Sequence, residues 1–238
     1  MTRARGGALV GILVLLIGAA VLARSIHRVY PPKPVNKPAL LLLTSLPLVF
    51  SEDFSIEGGG SPALTALRAH YRVVPISTTG AADLAKGKLL FMAHPLAQTA
   101  ENLVELDEWV RRGGKVLLLA DPMLEWPSKR PLGDPLRPPA MFADTGLLGH
   151  WGLRLDAPEQ RGPKEAKLGG YQIMTATPGT LTGKGCTFSA DRLVAHCRIG
   201  RGRATIVADA DLLDPQDLGN GAENNLDAIL SELSELRP

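Results

Sequence analysis

The sequence predicts an α/β fold: a mostly parallel β-sheet with helices on both faces, a β-hairpin insertion and an N-terminal transmembrane helix. Three observations predict it. Aliphatic runs without polar alternation recur at Ala39–Thr44, Lys88–Ala93, Lys115–Ala120 and Ala204–Ala208. Segments of helical period lie between them, and strands that need no polar face are those buried on both sides, as in a helix-covered parallel sheet. Finally, Gly6–Ala23 contains no charged residue. At helical rise its eighteen residues span about 27 Å, close to the roughly 30 Å apolar core of a bilayer.

In chain order, residues 1–28 form the expected anchor, 29–38 a linker and 39–238 a soluble α/β domain. Arg3 and Arg5 precede the apolar run, and Arg24, His27 and Arg28 follow it. A cleaved signal peptide is the rival reading, but the run is longer than a usual signal core and Arg24 resembles a stop. Tyr30 to Pro38 carries four prolines and reads as an extended spacer. Ser51 to Gly60 is a polar, Gly-rich loop, with Glu52, Asp53 and Glu57 acidic. Ser61 then caps a helix with Pro62 at its first position. Tyr71–Ile76 reads as a strand. Thr99 caps the clearest helix, with Leu103, Leu106 and Val110 on one face and Gly113-Gly114 as its stop. Asp121 to Pro139 holds six prolines and is expected to be a long ordered loop. A short helix is predicted near Thr145–Trp151, hairpin structure over Tyr171–Ile199, and an amphipathic helix from Ala222 to Leu236.

Composition excludes several functions. With 26 basic and 24 acidic side chains the net charge is +2, which does not suit a dedicated nucleic-acid binder. Gly58-Gly59-Gly60 lacks the Lys-Ser/Thr of a phosphate loop and the spacing of a dinucleotide fingerprint, so neither nucleotide nor other cofactor is expected. Cys186 and Cys197 are the chain's two cysteines. If the intervening turn centres on Asp191-Arg192 they face each other across a hairpin, within reach of a disulfide; two separate buried thiols are the alternative. A zinc site is not expected, because His196 points to the opposite face from Cys197.

Lys88 to Pro122 contains a strand, a Pro-containing loop, a helix ending in Trp-Val-x-x-Gly-Gly, another strand and Asp-Pro. This pattern resembles the soluble domain of GldG-type proteins, auxiliary components of ABC transport systems. Gly200 to Leu213, followed by Asn224-Asn225, is similar to that family's late glycine, strand and Asp-x-Asp step. The resemblance implies a flavodoxin-like or class I amidotransferase-like fold, but the strand ending at Ala120 leads into Asp121-Pro122 where amidotransferases carry a nucleophilic Cys. Glutaminase chemistry is therefore not expected.

His94, Asp121, Asp209 and Asp211 all follow predicted strands, the edge that borders the ligand crevice in open α/β sheets. They are the candidate ligand-binding residues, suited by type to a cation or a polarised water; the alternative is that Asp121 and Asp211 cap the following turns and His94 is a surface loop residue. No catalytic residue and no metal ligand set is assigned. The expected function is a membrane-anchored, non-enzymatic accessory domain of an ABC-type transport or envelope assembly, with a transporter permease among its partners. The alternative is an envelope hydrolase or a small-ligand- or cation-binding protein using the same four residues. Arg24, Arg28, Lys33 and Lys37 outnumber Arg3 and Arg5, which favours a cytoplasmic domain. The paired cysteines favour the extracytoplasmic side of the inner membrane, which is the expectation adopted.

Overall fold

The computed structural model describes residues 37–50 and 60–237. The predicted anchor, the linker up to residue 36 and acidic residues 52, 53 and 57 lie outside these. Among the described residues no helix is long and apolar enough to cross a membrane.

The first strand, β1 (Ala39–Thr44), buries all four of its leucines, and β3 (Leu89–Ala93) buries every residue. β4 (Lys115–Leu119) buries all but its first lysine. Burial on both faces explains their unbroken apolar runs. β2 (Arg72–Pro75) is only half-buried and carries a proline, as an edge strand tolerates. A seven-stranded sheet results, in the order β2-β1-β3-β4-β11-β10-β9, with β9 (Cys186–Phe188), β10 (Val194–Ile199) and β11 (Gly202–Val207) completing it. Neighbours from β2 to β11 are parallel; β10 is antiparallel to both β11 and β9.

Local chemistry sets the helix ends. In α1 (Pro62–His70) the Ser61 hydroxyl accepts from the Leu64 amide at 3.1 Å, and before α3 (Ala100–Arg111) the Thr99 hydroxyl accepts from Asn102 at 3.3 Å. α3 stops where Gly113 takes φ +116°. A Cβ on Gly114 would lie 2.2 Å from the Trp109 ring, so this glycine is required for a close approach rather than a turn. Between them a single turn, α2 (Ala81–Leu84), packs on α3. The last helix, α6 (Asn225–Glu235), starts three residues later than the pattern suggests and packs on α1. Successive residues of β11 show the two covered faces: Gly202 abuts the Val110 carbonyl of α3, whereas Arg203 donates to the Glu235 carbonyl of α6 at 2.9 Å.

The expected hairpin insertion over Tyr171–Ile199 requires correction, because it divides among three pairings. β6 (Lys164–Leu168) and β7 (Tyr171–Thr175) form a hairpin, while β8 (Thr180–Gly183) pairs with β5 (Leu153–Asp156). Only β9 and β10 form the cysteine hairpin, and they extend the main sheet. The reason is the tight turn at Gly200, φ +59°, where a Cβ would lie 2.9 Å from the Arg111 backbone; glycine allows the close approach and lets β10 fold back along β11. One-turn helices α4 (Leu147–His150) and α5 (Pro215–Leu218) and a 3-10 turn at Asp211–Leu213 complete the described elements.

Candidate functional site

β4 and β11 are adjacent and in parallel register, with Leu119 beside Val207. Asp121 and Asp209 each lie two residues beyond that last pair, so the register itself brings them level. Asp211 opens the 3-10 turn immediately after. Oxygens of the three carboxyls lie within 4.8 Å of one another, and all three residues are buried, Asp211 the least at 5% exposure.

Each carboxyl holds backbone amides. Asp121 accepts from Met123 at 2.7 Å and from Ala210 at 2.8 Å, tying the ends of β4 and β11 together. Asp209 accepts from Leu212 at 2.9 Å and from Ala176 at 3.2 Å, so both its oxygens are engaged. Asp211 accepts from the Glu125 amide at 2.9 Å through one oxygen. Burial is the main influence on all three. It pushes Asp121 up to about 6 against the pull of its amide donors, and Asp211 up to about 7. Asp209 rises well above the ordinary carboxyl range, first through burial and then through the charges of Asp121 and Asp211. Three enclosed carboxyls cannot all ionise without a counter-charge, so the cluster holds protons or a cation at neutral pH. A carboxyl that keeps its proton beside one that ionises more readily is also the pairing used in acid–base hydrolysis. The other Asp211 oxygen accepts no hydrogen bond among the described residues.

His94 falls at the end of β3, on the other side of β4, and is not one of the three groups that converge. Its amide donates to the Leu119 carbonyl at 3.0 Å, and its side chain is fully buried. Nε2 lies 2.9 Å from the Pro139 carbonyl, so Nε2 carries the hydrogen and Nδ1 is a buried acceptor with no partner among the described residues. Burial lowers its pKa, opposed by the Pro139 contact, and keeps the ring neutral. Its φ of +45° is left-handed, a conformation that costs a non-glycine residue about 1–2 kcal/mol. The proline-rich loop is thereby pinned over the strand ends: Pro139 on His94, the Phe142 amide on the Asp121 carbonyl at 2.6 Å, and the Leu124 amide on the Ala140 carbonyl at 2.9 Å.

Sequence reasoning missed Glu125 and Thr177. Thr177 is fully buried, accepts from the Gly162 amide at 3.1 Å and donates to Glu125 at 2.9 Å. Neither lies at a strand end of the parallel sheet, so no local signal marks them. His150 sits 3.3 Å from Asp107, which also accepts from the Trp151 indole at 2.9 Å. Cys186 and Cys197 are disulfide-bonded, with 4.3 Å between their Cα atoms, at directly opposed positions of β9 and β10.

No protein-family profile and no curated protein matches the chain. Solved structures do. An exo-beta-1,4-mannosidase from Opitutaceae bacterium strain TAV5 is 14% identical with a TM-score of 0.50, over 84% of this chain and 36% of that one. The chain thus spans about a third of the mannosidase's length. A cytoplasmic protein from Salmonella typhimurium LT2 is 11% identical, TM-score 0.53, over 84% of this chain and 100% of its own. A second cytoplasmic protein from Salmonella typhimurium is 10% identical, TM-score 0.50, over 83% and 98%. At these identities the likeness is one of fold, a mixed α/β arrangement around a large, mostly parallel sheet.

These matches correct four expectations. The resemblance to GldG-type and amidotransferase-like proteins is overturned, since the similar structures are a glycosidase and two cytoplasmic proteins. Its motif has a packing cause: Trp109 needs a bare Gly114 beneath its ring, and Asp121 caps the end of β4. With the resemblance goes the accessory role in an ABC-type transport or envelope assembly that it implied. The transporter, membrane and periplasmic designations fall with it; the disulfide alone remains. The inner-membrane, extracytoplasmic localisation is overturned too, because the matches that span nearly the whole of their counterparts are described as cytoplasmic proteins.

Proposed function

We propose that the domain binds a cation or small polar ligand at the carboxyl ends of β3, β4 and β11, through Asp121, Asp209 and Asp211, with His94 bordering the site. One observation carries this reading: three buried carboxyls, their oxygens within 4.8 Å, whose protonation is governed by burial, amides and one another rather than by a cationic side chain. The parallel part of the sheet, β2-β1-β3-β4-β11, fits the doubly wound, flavodoxin-like order, in which ligands lie outside the carboxyl ends of strands. Oxygen-only donors suit a hard cation of the magnesium, calcium or manganese class.

Titrating the full chain with each of these cations at pH 8 tests the proposal. Binding should raise the melting temperature, vanish at pH 5 where protons occupy the carboxyls, and weaken about tenfold or more in Asp211→Asn, which removes a charge yet can still accept the Glu125 amide. A melting temperature indifferent to all three cations at pH 8, or a shift that survives Asp211→Asn unchanged, overturns it.

A further inference from the structure

We propose that the cleft between β10, β11 and the last turns of α6 is a binding site for a phosphate group. It is separate from the aspartate cluster. Arg203 is the second residue of β11 and Lys115 the first of β4, so this cleft belongs to the amino-terminal end of the parallel strands, opposite the carboxyl ends that Asp121 and Asp209 follow. Its volume is about 350 Å³, and His196, Arg198, Arg203, Thr205, Glu232 and Glu235 line it.

The strand register builds a row of positive charge. Arg198 stands directly opposite Arg203 across the antiparallel pair, and Arg203 stands beside Lys115 across the parallel one. Like charges placed opposite each other destabilise a sheet unless something of the other sign is shared between them. The Lys115 ammonium registers the crowding: burial lowers its pKa, and Arg203 and Arg198 lower it further. Packing explains part of the row, since Arg203 closes α6 through the Glu235 and Arg237 carbonyls at 2.9 and 3.4 Å. It does not explain Arg198, whose exposed guanidinium has no hydrogen bond or ion pair among the described residues.

Two more donors face the same space. His196 lies 3.1 Å from Glu232, whose carboxylate raises the imidazole pKa and favours its charged form. Glu232 is buried and also accepts the Gly169 amide at 3.1 Å, so its charge is largely committed. Thr205, paired in register with His196, is 2% exposed and lines the cleft with a hydroxyl that makes no hydrogen bond among the described residues. Among the described residues lining the cleft, Glu235 is the acidic group left at the exposed rim. A planar carboxylate satisfies one guanidinium fork, whereas a phosphate, with its extra oxygen and second charge, engages Arg198, Arg203, the imidazolium and the hydroxyl together.

Inorganic phosphate titrated into the full chain at pH 7 tests this, with sodium chloride and sodium acetate at matched ionic strength as references. Saturable binding of phosphate, absent with either reference, is expected. Arg198→Glu should weaken it about tenfold or more without lowering the melting temperature in chloride, since that side chain is exposed and its replacement relieves the like-charge pair with Arg203. Thr205→Val should weaken it less. Phosphate binding no stronger than acetate, or binding that Arg198→Glu leaves intact, overturns the proposal.

Discussion

Asp209 illustrates how much a single carboxyl can hold. Both of its oxygens accept buried amides, one from Ala176 beyond β7 and one from Leu212 in the 3-10 turn, and its pKa is raised by burial and by two neighbouring acids. Asp209→Ala leaves two N–H groups without partners in a dry interior, at an expected cost of about 2–4 kcal/mol in chemical denaturation. Asp211→Ala, which frees one amide nearer the surface, should cost less. Equal costs at the two positions would mean that the amide bonds do not set the local stability. The residue types at this site were legible in the sequence because each aspartate follows a buried strand. Their convergence was not: it depends on β4 and β11 being neighbours although in-register partners such as Lys115 and Arg203, or Leu119 and Val207, lie 88 positions apart with no local signal to join them. His94 lay equally visible at a strand end, yet it falls across β4 and its partner is a backbone carbonyl 45 residues away.

At the scale of elements, the cysteine hairpin and the helix caps were readable for the same reason, since both are decided by residues close in sequence. The disulfide spans 11 positions and fastens β9, a three-residue edge strand, to β10. Closing so short a loop is worth about 3 kcal/mol or less. Chemical denaturation with and without reductant should therefore show a loss of that order, matched by the double variant Cys186→Ser, Cys197→Ser. Identical midpoints would deny the bridge a structural role. The remaining β-rich elements resisted sequence reading because their partners are remote. β8 pairs with β5 rather than with the adjoining β9, and β7 with β6, so a run that looked like one insertion serves three different pairings.

For the whole molecule, titratable groups at both ends of the sheet shift stability with pH in the same direction. Asp121 and Asp211 have folded-state values raised to about 6 and about 7 from 3.8, so their stabilising effect is complete at low pH and is lost as pH rises through those values. His196, also raised, contributes in the same direction, its stabilisation disappearing above its ordinary value of 6.5. His94 is lowered by burial and opposes them below 6.5, where unfolding would let it take up a proton, but it has no influence above that pH. Stability in the absence of divalent cations should thus fall between pH 6.5 and 8, measured as denaturation midpoints at constant ionic strength. A midpoint that rises across this window would contradict the buried, proton-holding state of the cluster.

The sequence by itself determined the mixed α/β class, the doubly buried strands, the Ser61 and Thr99 caps and the cysteine pairing, because each follows from periodicity or from groups a few residues apart. Tertiary structure alone decided which strands are neighbours. That choice levels Asp121 with Asp209, isolates His94 across β4, and sets Arg198, Arg203 and Lys115 abreast at the opposite end of the sheet. The physical reason is that strand order and register arise from packing among residues far apart in the chain, and no local pattern encodes them.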